Sequence, residues 1–403
     1  MSILIAHPSR QHSHQLAHAL YKKDMLTGYY TLLPDKRILK SIPFFHFLIP
    51  SSIIRNHALS FLPDNKFHVL IGPLLFNKFF SKFNSTFCDE FGQLISYLFL
   101  DYWVAIKVKK LNIKGIVGYE MCCANTFKIA KSRGIICILD AAAFHYKYQN
   151  KILGKNNTEA HTLFGKILQE RKEIEIKLAD YIICPSLHSK QSYVDAGISP
   201  NKIFVNTLGC DTKLFNSKAK KLRKGPPKFI FIGSASSHKG FDMLINSFKE
   251  LVKINSMAEL HIIGDCKSYR KLLQNITQVK SYGKLSHLEI SKILPLMDFL
   301  ILPSQLDSFG MVVPEALSSG VQVIVSANVG ASDLVIKGKN GWVINAPNVN
   351  SLFKQLYFCT ENIRTIRSHN NISEKTIQKY DWINYRKRSV KLFSSFFSNS
   401  HLA

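Results

Sequence analysis

The chain has 403 residues, with 53 Lys and Arg against 27 Asp and Glu for a formal net charge of +26, and carries 28 Phe and 15 Tyr. That length fits two domains, and 46% hydrophobic with 20% charged residues excludes a disordered, collagen-like or coiled-coil protein. So basic a surface favours anionic partners such as phosphorylated metabolites, nucleic acid or anionic lipid.

The predicted elements begin at once. A strand over 3–6 leads into a helix over 11–22, a strand over 115–118 into a helix over 122–133, and a strand over 135–139 follows. A strand over 181–184 then precedes a helix over 187–196. After Asn216 the run Ser-Lys-Ala-Lys-Lys-Leu-Arg-Lys-Gly-Pro-Pro-Lys is charged, poor in apolar residues and proline-ended, which is the signature of a linker. Beyond it, strands over 229–232, 259–263, 281–283, 299–302 and 321–325 interleave with helices over 240–254, 285–297 and 314–319. Strands alternating with helices predict parallel, doubly wound sheets, and nearly continuous apolar strands predict sheets covered on both faces. The expected organisation is a Rossmann-like domain over 1–218, a linker over 219–228, a second Rossmann-like domain over 229–383 and a basic tail over 384–403. Ligands in such folds bind beyond the strand C-termini, so an interdomain cleft is the expected site.

The eight cysteines are scattered without a C-x-x-C pair and mostly inside apolar runs, which reads as buried free thiols in a reducing compartment. The N-terminus has too short an apolar core for a signal peptide, and no run reaches the roughly 18 apolar residues of a spanning helix. A cytoplasmic chain with at most peripheral membrane contact is expected.

The densest chemical signal is Pro303-Ser-Gln-Leu-Asp307-Ser-Phe-Gly-Met-Val-Val-Pro-Glu315-Ala-Leu-Ser-Ser-Gly320. A strand ends, a loop carries an acid, Pro314 suits a first helical turn and Gly320 suits its close. Backbone N–H groups near the helix entrance favour a phosphate, and Glu315 in the first turn reaches a polyol. Upstream, Gly233-Ser234-Ala-Ser-Ser-His-Lys239-Gly240 joins a strand to a helix and places a lysine where a phosphate would lie.

Two acids separated by seven residues, with Phe-Gly between them and Glu-Ala-x-x-x-Gly closing the run, resemble the E-x7-E motif of family-4 retaining glycosyltransferases of the GT-B fold. Asp307 stands where that family has Glu. The resemblance covers about residues 170–385 and extends to the Gly233–Gly240 element, Gly264-Asp265, Ser281-Tyr-Gly283-Lys284-Leu285 and Gly330-Ala-Ser-Asp333. It implies that Glu315 holds the donor ribose and Asp307 a hydroxyl of the donor sugar. The Phe309-Gly310-Met311 backbone would meet the diphosphate and sugar, Lys239 would neutralise the leaving diphosphate, and Gly233, Ser234, Gly283, Lys284 and Leu285 would complete the donor site. Ser234 replaces a frequent arginine, so donor phosphate binding is either weaker or completed by another basic residue.

In the first half, Asp140 and His145 stand where the family places a histidine near the reacting centre, and either is the match. The turn Ala6-His7-Pro-Ser-Arg10-Gln-His12-Ser-His14 joins the first strand to the first helix. Acceptor contact is expected from His7, Arg10 or His14, and no metal site, because no Cys or carboxylate stands nearby at ligand spacing. The chain has no D-x-D, the magnesium-bridging pair of the other glycosyltransferase fold, so no cofactor is expected.

Residues 21–87 hold nine Lys and Arg, three acids and thirteen aromatics, a composition suited to an anionic membrane surface. No RNP, KH or zinc-finger pattern accompanies it, so no specific nucleic-acid partner is expected. The tail 382–397 reads as a basic amphipathic helix returning to the first domain. The resemblance thus implies a glycosyltransferase acting from a nucleotide-sugar on a glycan or lipid-linked acceptor in bacterial lipopolysaccharide or surface-polysaccharide assembly. The alternative is a non-catalytic nucleotide- or polyanion-binding protein on the same scaffold.

Overall fold

The structure, a computed structural model, describes residues 1–9, 12–33, 59–81, 85–154, 162–217, 225–345, 348–368 and 377–398. Arg10, the aromatics at 44–47 and most of the expected linker lie outside the described residues.

In the first domain β1 (Ile3–His7), β2 (Leu26–Thr31), β3 (Phe67–Val69), β4 (Gly115–Tyr119), β5 (Ile136–Asp140), β6 (Tyr181–Cys184) and β7 (Ile203–Val205) form one sheet. Their order is β3-β2-β1-β4-β5-β6-β7, and every pairing is parallel. The connecting helices are α1 (Ser13–Tyr21), α2 (Ile71–Ser81), α3 (Thr86–Lys110), α4 (Ala124–Ser132), α5 (Tyr146–Leu153), α6 (Leu163–Leu178) and α7 (Leu187–Asp195). Alternate residues of each strand go to opposite faces. Leu4, Ile116, Cys137 and Leu139 enter one core, and Ile3, Ile5, Val117 and Ile138 the other.

The second domain repeats the plan with β8 (Lys228–Ile232), β9 (Glu259–Ile263), β10 (Val279–Ser281), β11 (Phe299–Leu302), β12 (Gln322–Ser326) and β13 (Gly341–Ile344). Their order is β10-β9-β8-β11-β12-β13, again parallel. Its helices are α8 (Phe241–Ile254), α9 (Arg270–Gln274), α10 (His287–Ile293), α11 (Val312–Ser318), α12 (Val349–Glu361) and α13 (Ile363–Ser368). The last helix, α14 (Trp382–Ser398), returns to the first domain as its pattern predicts. Tyr385 packs in a core of the second domain, whereas Phe393, Phe396 and Phe397 fill one of the first.

Several expectations shift. The strand expected at 281–283 is Val279–Ser281, because Gly283 turns at φ +68° and ends the extended run. The helix expected over 285–297 is α10 followed by a 3-10 turn over Leu294–Leu296, where Pro295 cannot donate an N–H. Lys228, placed in the linker by composition, opens β8, its N–H donating to Asp298 Oδ2 at 2.9 Å. All eight cysteines are free thiols, six of them buried.

Two topological switch points follow from the strand orders. The chain turns away from β1 to one side through β2 and β3, then resumes on the other at β4; the second sheet does the same between β8 and β11. The crevices at these points, outside the strand C-termini, are where open α/β sheets receive ligands. The two C-terminal edges meet across the domain boundary. Leu187 N–H donates to Asp333 Oδ2 at 2.6 Å, and Tyr148 O–H donates to Asn328 Oδ1 at 3.1 Å.

Candidate active site

Around the second switch point the chain has little room. Gly240, at φ +68°, starts α8, and a Cβ there would lie 2.1 Å from the Pro303 carbonyl oxygen. Gly264, at φ +137° beyond β9, would place a Cβ 1.9 Å from the Gly233 oxygen. These close approaches pull the three strand-end loops together. Ser236 caps the turn that ends at Lys239 by accepting from the Lys239 N–H at 3.3 Å. The Asp307 loop is fixed by a backbone bridge to Val329, with Asp307 N–H donating to Asn328 O at 3.0 Å.

The result joins two residues that lie 68 positions apart: Lys239 Nζ sits 2.6 Å from Asp307 Oδ2, both partly exposed. Asp307 also accepts from Phe309 N–H at 3.3 Å. Glu315 stands in the first turn of α11, only 6% exposed, and burial pushes its carboxyl up to about 8. His287 Nε2 lies 3.7 Å from Glu315 Oε1. Gly310 turns at φ +81° ahead of α11, Phe309 is buried, and Met311 and Leu285 pack partly buried on the core beneath.

A cavity of about 580 Å³ opens at the C-terminal ends of β9 and β10, on this same edge. Gly283 and Lys284 line it, together with Lys267, Arg270, Leu273 and Val279. Lys284 extends into solvent and pairs with Asp265 at 3.2 Å. Lys267 and Arg270 are cations that the motif reading did not name, although it left a place for a basic residue to stand in for Ser234. Their signal was positional, since both follow Gly264-Asp265 directly beyond a strand end. His287 was missed for the opposite reason, because only folding brings it to Glu315.

The first switch point carries the other candidates. His7 ends β1, fully buried, and burial lowers its imidazole to about 4. Its ring lies 4.3 Å from that of Tyr119 at the end of β4. Asp140 ends β5, and His12 Nε2 lies 2.8 Å from its Oδ1. Burial opposes the charge on both groups, but each is held in its charged form by the other: Asp140 below the usual carboxylate range, His12 above the usual imidazole range. His145 caps α5, its Nδ1 accepting from Lys147 N–H at 3.2 Å, so its proton belongs on Nε2. Burial and the nearby Lys147 and Lys172 bring His145 down to about 4, leaving it neutral at ordinary pH. His14 is buried with its ring 5.6 Å from Tyr29, inside the domain. Among the described residues no group of three or more His, Cys, Asp or Glu could hold a metal ion.

Two parallel Rossmann-like sheets meeting edge to edge, with a Lys-Asp-Glu set at one switch point and a returning C-terminal helix, define the GT-B architecture. Residues 213–378 match the family Glycosyl transferases group 1, and that match together with the relatives below marks a glycosyltransferase. It is 29% identical over 332 residues to a 41.2 kDa protein of the cps region of Klebsiella pneumoniae, covering 77% of this chain and 87% of that one. With other curated relatives the match spans about half of their length. Among solved structures, Anabaena HepE in complex with UDP is similar at a TM-score of 0.67 and 17% identity over 98% of this chain and 100% of that one. WaaG, a glycosyltransferase involved in lipopolysaccharide biosynthesis, is similar at 0.68 and 12% identity over 97% and 99%. These likenesses lend nothing to the non-catalytic alternative.

Proposed function

We propose that the protein transfers a sugar from a nucleotide-sugar to a glycan or lipid-linked acceptor, with retention at the anomeric carbon and without a metal ion, in lipopolysaccharide or surface-polysaccharide assembly. The observation that carries this reading is the Lys239–Asp307 pair at 2.6 Å at the β8/β11 switch point, with Asp307 on the same loop-helix unit as buried Glu315. The donor class is supported by HepE, whose structures hold UDP and UDP-glucose, and the pathway by the cps-region relative and WaaG.

In the transfer, the bond from the anomeric carbon to the diphosphate oxygen breaks and its electron pair leaves on the phosphate. Lys239 swings from Asp307 to neutralise that charge, which frees Asp307 to accept from a sugar hydroxyl. Glu315 receives the ribose hydroxyls. The acceptor oxygen bonds to the anomeric carbon from the departing side, and its proton passes to the leaving phosphate. His145, neutral with its proton on Nε2, donates a hydrogen bond toward the donor sugar. Basic and aromatic residues of the first domain hold the enzyme on the anionic inner face of the cytoplasmic membrane.

The test is a thermal-shift panel of UDP, GDP, ADP and their sugar conjugates, with and without EDTA. The compounds of one nucleoside are expected to raise Tm equally in both conditions. A shift that EDTA removes would overturn metal independence, and no shift at millimolar nucleotide would overturn the donor site.

A further inference from the structure

The C-terminal edge of the first sheet holds two cavities that the donor reading leaves unused. One, of about 290 Å³, opens beyond β1 and β2 between Ser9, Leu33, Asn77, Asp89 and Tyr97. The other, a notch of about 80 Å³, opens beyond β4 between Glu90, Tyr146, Gln149, Gln169 and Lys172. They lie on opposite sides of the β1/β4 switch point, and Gln93 of α3 lines both.

We propose that these two cavities form one subsite for a neutral oligosaccharide acceptor, crossing Gln93 with at least two sugar residues. The proposal rests on the glycosyl-transfer reading above. Charge is the first argument. In a chain of net charge +26, none of the described residues lining the larger cavity is Lys or Arg, and one is Asp89; in the notch Lys172 is offset by Glu90. Such a lining does not suit a phosphate or an anionic headgroup. Chemistry is the second. Asn77, Gln93, Gln149 and Gln169 each carry both donors and an acceptor, which is what vicinal hydroxyls need, since each hydroxyl both gives and receives. Glu90 adds a buried Oε1 with no hydrogen-bond partner among the described residues, an acceptor awaiting a donor. Tyr97 and Tyr146 add ring carbons to the lining, apolar surface for the C–H side of a pyranose.

Size and placement extend this to an oligosaccharide. The larger cavity sits near the lower end of the roughly 300–1,000 Å³ of small-molecule sites and takes one ring. A single ring there leaves the notch and Glu90 empty, whereas a chain crossing Gln93 fills both. Gln93 Nε2 already donates to Tyr97 O–H at 3.0 Å, which holds the amide at the crossing point.

The experiment is retention on an array of defined glycans, with neutral di- to tetrasaccharides of hexose and N-acetylhexosamine in one arm and phosphorylated or uronate-bearing glycans in the other. Thermal shift with the nucleotide panel is run on the same preparations. Neutral glycans are expected to be retained, and Gln93→Ala and Asp89→Asn to lower that retention at least tenfold with the nucleotide shift unchanged. Gln93→Glu, whose carboxylate can accept from the Tyr97 hydroxyl where the native amide donates to it, keeps the test decisive if the alanine variant misfolds, and the same tenfold loss is expected. Retention confined to anionic glycans, retention untouched by the Gln93 variants, or no retention by a protein that still binds nucleotide overturns the proposal. Neutral glycans retained by a protein that no nucleotide stabilises would instead sink the transferase reading and leave the subsite standing.

Discussion

Glu315 carries a buried carboxyl that is kept at a cost to the fold. Its carboxyl titrates near 8 in the folded chain against about 4.5 when exposed. Between those values the folded state holds a proton that the unfolded state has lost, so stability falls as pH rises through that window, and the whole loss is in place above pH 8. Glu315→Gln is therefore expected to raise the Tm of the nucleotide-free protein at pH 8.5, by roughly 2–4 °C for each kcal/mol relieved, and to change nothing at pH 4. The same variant should lose most of the stabilisation that nucleotide confers. A melting series over pH with and without nucleotide checks both halves; a Tm lowered at pH 8.5 would overturn the burial cost assigned to the carboxylate.

Lys239 and Asp307 make a second residue-scale case. A partly exposed pair of this kind is worth about 0.2–1 kcal/mol, so releasing Lys239 should matter little to folding and more to ligands. Asp307→Asn is expected to tighten nucleoside diphosphate binding by up to about fivefold while turnover of the nucleotide-sugar falls, because phosphate gains an unpaired lysine and the sugar loses its acceptor. Lys239→Met should lower kcat by about 10²–10³, the usual loss when one charge-stabilising group is removed. Calorimetry of the diphosphate beside donor turnover separates these roles, and parallel losses in both variants would contradict them.

At the scale of elements, α14 joins the two domains. The chain before it crosses the interdomain connection at Gly209 and Cys210, where Cys210 N–H donates to Tyr380 O at 3.0 Å and Trp382 N–H to Cys210 O at 3.3 Å. The helix then lays Phe396 on Tyr181 with ring centroids 4.0 Å apart, and Arg386 donates to Gln15 of α1 at 2.6 Å. Phe396→Ala is expected to cost about 3–5 kcal/mol. The loss should appear first in the fluorescence of Trp103 and later in that of Trp342, since the cavity opens in the first domain. Coincident transitions would show instead that α14 makes the domains unfold as one. The amphipathic pattern of α14 was readable in the chain, as were β1, β4–β6, β8, β9, β11 and β12, whose strands are nearly pure apolar runs. The three-residue strands β3 and β7 were not, because pairing with neighbours defines them. The long α3 was hidden likewise: its pattern mixes buried Leu94, Leu100 and Val104 with exposed Phe99 and Tyr102, so the periodicity is weak. The grouping of Lys239 with Asp307 and Glu315 was legible because these residues sit on adjacent strand ends at fixed spacing. Gln93, Glu90 and His287 were not, because each reaches its partners only across the fold.

The whole molecule carries a charge that neither site uses. The chain as a whole carries +26, the outer helices of the first domain carry exposed aromatics, and on α3 Phe99, Tyr102, Ile106 and Lys109 recur at helical spacing along one exposed face. Among the described residues no helix is long and apolar enough to cross a membrane, so contact with a bilayer would be made by this face lying on it. Each Lys or Arg near an anionic surface adds about 1 kcal/mol, and the attraction falls as the screening length shrinks from about 8 Å at 0.15 M salt to about 3 Å at 1 M. The protein should therefore sediment with phosphatidylglycerol vesicles at low salt, be released at high salt, and ignore vesicles of phosphatidylcholine alone. Phe99→Ser and Tyr102→Ser should weaken the low-salt binding without moving the nucleotide-induced Tm shift, because the face lies on a helix remote from the β8/β11 switch point. Binding that survives 1 M salt would assign the contact to apolar insertion rather than charge. No binding at any salt would mean that the positive field serves only to draw the anionic donor into the cleft, which a fall in donor on-rate with rising salt would then reveal.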